Sequence, residues 1–148
     1  MKNIIKMILS ILGIISLIIV LIVGIFVLSL YNNTHGKVSE VKIITKESNI
    51  YSPKDIDSAI DVILKFFRKN YDGCSLKKIS YIGDNINNSY QQSRTHYDDK
   101  EVIVLISTFE TKSFCNGSLM PNAVYTNWTW ILARDKNGKW EHIDHGWG

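Results

Sequence analysis

The chain is short of nearly everything that marks catalytic chemistry. Its 148 residues hold two cysteines, two prolines and four histidines. They show no Gly-rich phosphate loop, no Ser/His/Asp signature and no Cys/His pairing of the kind that builds a nucleotide or nucleophile site. Nothing implies a cofactor. Internal repeats and low-complexity runs are also lacking, which excludes solenoid, collagen-like and coiled-coil assemblies. The first 30 residues contain no acid and only two charges, Lys2 and Lys6. The remaining 118 carry 15 Lys/Arg against 14 Asp/Glu, and a balance of +1 leaves no basic footprint for nucleic acid. Those residues suffice for one small domain with its own core and are too few for two.

What the head does have is a long apolar run. Met7 to Leu30 is uncharged and rich in Ile, Leu and Val; as a helix it extends about 36 Å, enough for a hydrocarbon core of about 30 Å. A cleavable signal has a shorter apolar stretch followed by small residues, and Val27, Leu28, Ser29, Leu30 and Tyr31 form no such site. No cysteine ends the run, so a lipid anchor has no attachment point. Residues 1–30 are therefore read as an uncleaved signal anchor crossing the membrane through residues 7–30, followed by a polar linker at 31–37. Tyr31 stands where an interfacial aromatic belongs. Lys37, Lys42 and Lys46 nearly balance Lys2, Lys6 and the terminal amine, so charge alone does not orient the anchor. The six-residue N-terminal tail resembles an ordinary signal anchor, which predicts an extracytoplasmic domain over residues 38–148.

In that domain Ser52, Pro53 and Asp55 spell a helix start, with a capping hydroxyl, a proline at the first helical position and a carboxylate for the free backbone donors. Tyr51 and Ile56 are placed as a hydrophobic staple. Ile56, Ala59, Ile60, Ile63, Leu64, Phe67 and Tyr71 recur at helical spacing up to Gly73, which ends the element. Strands are predicted at 78–83, 101–112, 125–134 and 140–145, the last two joined by an Asn-Gly turn, with a weaker edge strand within 38–45. The stretch 84–99 is polar and reads as a surface loop or short irregular helix. The expected fold class is α+β: a transmembrane helix, then one long amphipathic helix on a curved antiparallel sheet of about four strands. Ile60, Ile63, Phe67, Val104, Ile106, Trp130 and Leu132 are the expected core.

Helix first, then a sheet ending in a hairpin whose last strand opens on Gly-Lys-Trp, resembles the cystatin-like or nuclear-transport-factor-two-like architecture. The stretches YSPKDIDSAIDVILKFFRKNYDGCSL, EVIVLISTFET and GSLMPNAVYTNWTWILARDKNGKWEHIDHGWG are similar to a family of bacterial proteins, often from Firmicutes, that carry a domain of unknown function behind a signal or lipoprotein anchor. The likeness spans roughly residues 48 to 148, and NWTWILAR followed by GKWEHIDHGWG is its most specific part. It implies a fold and a compartment and brings no catalytic residues. The missing lipidation cysteine departs from the lipoprotein members.

Candidate site residues concentrate at the C-terminus. His142 and Asp144 share a face if the strand is regular, whereas His145 points away. Two ligands do not make a metal site, and a third would have to come from elsewhere, such as His96 or Asp98 in the polar loop, so no metal is assigned. Asp144, His142 and Glu110 are the candidates for a buried acid or base, without a signature that specifies one. All four tryptophans lie within the last 21 residues. Trp128, Trp130 and Leu132 alternate as core residues do, with Trp140 pairing across the hairpin. Trp147, in the tail, is the exposed contact. The ligand-binding set is thus Trp147, His142 and Asp144. Cys74 and Cys115 are expected at one end of the domain, and outside the cell they would form a disulfide closing about 40 residues; if the domain faced the cytoplasm they would stay free thiols.

The expected function is a membrane-anchored, extracytoplasmic, non-catalytic binding or accessory module for a small ligand, envelope component or protein partner. A small enzyme using the pocket between helix and sheet is the alternative. An immunity-type membrane protein fits the size and anchor without any residue signal.

Overall fold

The computed structural model describes residues 2–93, 100–115, 118–136 and 138–147, and the chain divides into two compact units at Thr34/His35. The first is α1 (Lys2–Thr34), whose side chains from Lys2 to Leu30 are exposed. Among the described residues it is the one helix long and apolar enough to cross a membrane. That fits single-pass anchoring, since an apolar surface of this length has no other partner in its own unit.

The second unit runs β1 (Lys42–Thr45), α2 (Pro53–Asn70), β2 (Cys74–Tyr81), α3 (Asp84–Ser93), β3 (Glu101–Thr111), β4 (Val124–Arg134) and β5 (Glu141–Trp147). Its five strands lie in sequence order in one open sheet. The expectation of about four antiparallel strands is corrected on both counts. β2 begins at Cys74, four residues earlier than its alternation suggested, and β1 joins beside it as a parallel edge. The parallel pairing follows from the connection, because α2 carries the chain back to the end of the sheet where β1 began. The other pairs are antiparallel, including the β4–β5 hairpin.

α2 forms as its sequence dictates. Ser52 Oγ accepts from the Asp55 N–H at 3.2 Å, and the Asp55 carboxylate accepts from the Ser52 N–H at 3.1 Å, which completes the capping box. Tyr51 and Ile56 are both buried, as a staple requires. At the other end the Tyr71 N–H bonds the Phe67 carbonyl, and Gly73 takes a φ of +71°. A side chain there would stand 1.8 Å from the Phe114 carbonyl oxygen, so only glycine lets the 113–115 loop lie against the helix end.

Ile56, Ala59, Ile60, Ile63 and Phe67 of α2 pack on Ile79, Tyr81, Ile103, Leu105, Phe109, Trp130 and Leu132 of the sheet. The opposite sheet face holds a second cluster of Val102, Val104, Ile131 and Ala133, partly covered by Ile86 of α3. Val104 is therefore buried as expected but under α3, and Ile106 is only partly buried on that same face. A continuous apolar run in β3 feeds both faces, so it could not show which residues meet α2. α3 is tied to the sheet by buried polar contacts. Asn87 donates to the Tyr81 hydroxyl at 2.9 Å and accepts the Val104 N–H at 2.8 Å. The Asp84 carboxylate accepts from Tyr81 and from Ser48 at 2.6 Å.

The sheet carries three bulges. Lys77 is the extra residue of β2, two residues of β4 (Thr126 and Asn127) oppose Thr108, and Ile143 is extra in β5. Asn127 has a φ of +55°, a conformation Asn tolerates better than most residues. Each bulge resets the alternation, so residues three apart face the same way. Leu76 with Ile79, Tyr125 with Trp128, and His142 with His145 all point toward α2.

The expected disulfide is corrected as well: Cys74 and Cys115 are free. Each sulfur lies against a carbonyl of its own loop, Cys74 Sγ 3.7 Å from the Asp72 oxygen and Cys115 Sγ 3.2 Å from that of Leu119. Burial first, and then the nearby Cys115 and Asp72, push the Cys74 thiol up to about 12, so it stays protonated and unreactive.

Candidate functional site

The last turn of α2 and the inward face of β4 and β5 enclose the most distinctive chemistry in the domain. Phe66, Asn70 and Tyr71 come from the helix end, Ser118 and Leu119 from the loop before β4, and Trp128 and His145 from the sheet. Together they line an open cavity of about 310 Å³. The loop is held over the sheet end by Thr111, whose hydroxyl donates to the Met120 carbonyl at 2.6 Å and accepts the Ala123 N–H at 2.9 Å. The Met120 N–H donates to the Tyr125 hydroxyl at 2.7 Å.

The walls are aromatic. Tyr71 stacks on Phe67 at 4.6 Å and meets Trp130 edge-on at 5.4 Å. Phe66 lies 6.1 Å from Trp130 and 4.0 Å from the His142 ring. Two indoles at this site differ in one decisive respect. Trp130 is fully buried and donates its N–H to Ser107 at 2.8 Å, whereas the Trp128 N–H is buried with no hydrogen-bond partner. A buried, unpaired donor costs about 1 to 3 kcal/mol, and such a cost is met when a bound acceptor pairs with it. Burial pushes the Tyr71 phenol above its ordinary range, and the neighbouring Trp128 N–H offsets part of that rise without making a hydrogen bond of good geometry.

The sequence-derived candidates are separated by the β5 bulge. His142 and His145 fall on the same face with Nε2 and Nδ1 3.1 Å apart, while Asp144, paired with Ile131, lies on the opposite one. This reverses the facing expected of a regular strand. The Asp144 carboxylate accepts the His145 N–H at 2.9 Å. Both imidazoles are held below their ordinary range, chiefly by partial burial, and His142 also by the charge of His145. Trp147 is 71% exposed beside Tyr125, with ring centroids 5.7 Å apart. Trp140 is buried, its N–H given to the Asp55 carbonyl at 3.0 Å. Glu110 lies at the surface, paired with Lys77 at 3.0 Å. His96 and Asp98 lie outside the described residues. Among the described residues no group of three metal-ligating side chains forms.

A second cavity of about 320 Å³ lies at the other end of α2, beside Lys46, Ser48, Tyr51 and Pro53. Two of its polar groups hold the fold together: Ser48 bonds to Asp84, and the Tyr51 hydroxyl to the Val102 carbonyl at 2.9 Å. Nearby, Arg134 joins Asp55 at 2.6 Å and Glu101, and stacks 4.2 Å over Trp140. This corner fixes the helix start to the hairpin and is structural. Sequence reasoning missed it because the partners lie 79 and 33 residues apart. No protein-family model, curated protein or solved structure matches the chain.

Proposed function

We propose that the chain is a single-pass, membrane-anchored binding module that displays a cystatin-like helix-on-sheet domain outside the membrane and holds a small ligand or envelope component in the aromatic cavity at the C-terminal end of α2. The observation that carries this reading is the Trp128 N–H, buried and unpaired in the wall of a cavity that Phe66, Tyr71 and Leu119 line together with Asn70, Ser118 and His145. Aromatic walls with a buried N–H donor and a few further polar groups suit a ligand that has an apolar face and hydrogen-bonding substituents, such as an N-acetylated sugar ring or a short peptide. The long apolar helix supports anchoring.

The test combines saturation-transfer NMR on the full chain in detergent micelles with a defined set of probes: N-acetylhexosamine oligosaccharides, short peptides containing D-residues, and glycerol phosphate oligomers. Binding by one class, weakened at least about tenfold in Trp128→Phe, is the expected result. Equal binding by the variant would sink the proposal. Protease protection in right-side-out and inside-out vesicles checks the orientation, with cleavage of the domain expected only in the former.

One observation favours the enzyme reading: His145, whose imidazole partial burial holds below its ordinary range, lines the same cavity. Its Nδ1 faces His142, and Asp144 lies on the other side of the strand, so among the described residues no acid lines the cavity to orient the ring for proton transfer. Turnover of a bound probe, abolished in His145→Gln with binding retained, would support that reading over the non-catalytic one.

A further inference from the structure

The bulge at Ile143 does more than reverse the histidines. It sets two ring nitrogens, His142 Nε2 and His145 Nδ1, 3.1 Å apart on one face. Ligand nitrogens bound to one ion at about 2.05 Å and separated by this distance subtend an angle of about 98°, between the right angle of square-planar or octahedral sites and the tetrahedral angle. We propose that His142 and His145 chelate a single late divalent transition-metal ion, of the Ni(II), Cu(II) or Zn(II) class, at the rim of the aromatic cavity.

Three features of the fold favour chelation. The nitrogens belong to residues three apart in a strand, a spacing at which a regular strand would send them to opposite faces; the bulge alone brings them together. The rings are braced from beneath, His142 by Phe66 at 4.0 Å and His145 by Trp130 at 5.2 Å, which limits their rotation and sets the chelate in advance. The position is also open to solvent, since both residues keep exposed surface. No third His, Cys, Asp or Glu joins the pair among the described residues; the pair falls short of the three or four protein ligands of a structural or catalytic centre and makes instead a two-ligand chelate whose remaining positions water fills. Imidazole ligands select this class of ion over Mg(II) or Ca(II), which prefer oxygen.

The alternative occupant of the gap is a proton. In the ion-free state one facing nitrogen donates a hydrogen bond to the other. On metal binding that proton moves to the outer nitrogen of its own ring, both facing lone pairs turn to the ion, and two neutral imidazoles bind with no net proton release. This inference does not depend on the cavity having a ligand, and ion binding at the rim is measured separately from probe binding.

The experiment uses the untagged full chain in detergent micelles, titrated with Ni(II) alone and followed by tryptophan emission, because Trp130 and Trp128 lie 5.2 and 6.0 Å from His145. Saturable quenching at one ion per chain is expected, weakened by about tenfold or more in His142→Ala and in His145→Ala, since loss of outer-shell partners alone costs about 10- to 100-fold. Zn(II) added to the unaltered chain with 15N-labelled histidine supplies a measurement that needs no variant: the His142 Nε2 and His145 Nδ1 signals are expected to shift together. Quenching unchanged in both variants, or histidine signals that do not move with Zn(II), would overturn the proposal and leave the pair as an N–H···N hydrogen bond.

Discussion

Phe67→Ala removes the ring on which the domain's packing turns. Phe67 is fully buried, stacked on Tyr71 at 4.6 Å and set edge-on to Phe109 at 5.6 Å and Trp130 at 6.3 Å. Truncating a buried phenylalanine costs about 3 to 5 kcal/mol from lost transfer energy and the cavity left behind. Aromatic pairs add about 0.5 to 1.5 kcal/mol each beyond burial, and three are lost here, so the upper end of the range applies. A domain of about 114 residues has a net stability of roughly 6 to 17 kcal/mol. At about 4 °C per kcal/mol, the melting temperature should fall by about 16 to 20 °C. Thermal unfolding of the full chain in micelles, read by near-UV circular dichroism, isolates the domain because all four tryptophans belong to it. A loss under about 1 kcal/mol would mean that α2 does not seat this face on the sheet.

Arg134→Ala leaves Asp55 and Glu101 without their shared partner and should cost about 2 kcal/mol in urea unfolding; no measurable change would show the corner to be ornamental. Asp55 is held below the ordinary carboxylate range, first by Ser52 and then by Arg134. Its folded-state value is depressed, so its contribution is present above about pH 4 and is lost as pH falls through the folded value. The pH 5 to pH 3 drop in stability should therefore shrink in Asp55→Asn, and an equal drop in both proteins would refute the assignment. Intact-mass analysis of membrane-extracted protein should show Met7 to Leu30 retained; a product beginning near Tyr31 would identify a cleaved signal instead.

The sequence made the start of α2 legible to the residue, because Ser52, Pro53 and Asp55 act locally, and its face legible because the stripe from Ile56 to Phe67 repeats with the helix; the helix itself closes at Asn70, three residues before Gly73. The strands were legible for the same reason, but not their neighbours. Pairing β1 with β2 depends on where α2 delivers the chain, which no local pattern records. The site was the least legible part. Alternation assigned Asp144 to the face of His142, and one extra residue at Ile143 put His145 there instead. In β4 the signal existed: Asn127 is a residue type that accepts the positive φ of a bulge. Ile143 carries no such mark, since a β-branched residue favours a regular strand. Cys74 and Cys115 were assigned to one end correctly in position, but sequence separation says nothing of which way each sulfur turns.

The central claim, that the cavity at the end of α2 is a binding site with Trp128 as its donor, is tested most directly by the indole N–H signals of 15N-tryptophan-labelled full chain. The four indoles have different surroundings: Trp130 bonded to Ser107, Trp140 bonded to Asp55, Trp147 exposed, and Trp128 half-buried with its N–H covered and not hydrogen-bonded. Titration with the oligosaccharide, peptide and glycerol phosphate probes should move the Trp128 signal downfield as its N–H gains an acceptor, with the Trp130 and Trp140 signals nearly fixed. Trp128 unmoved by every probe, or movement of Trp147 alone, would contradict the account.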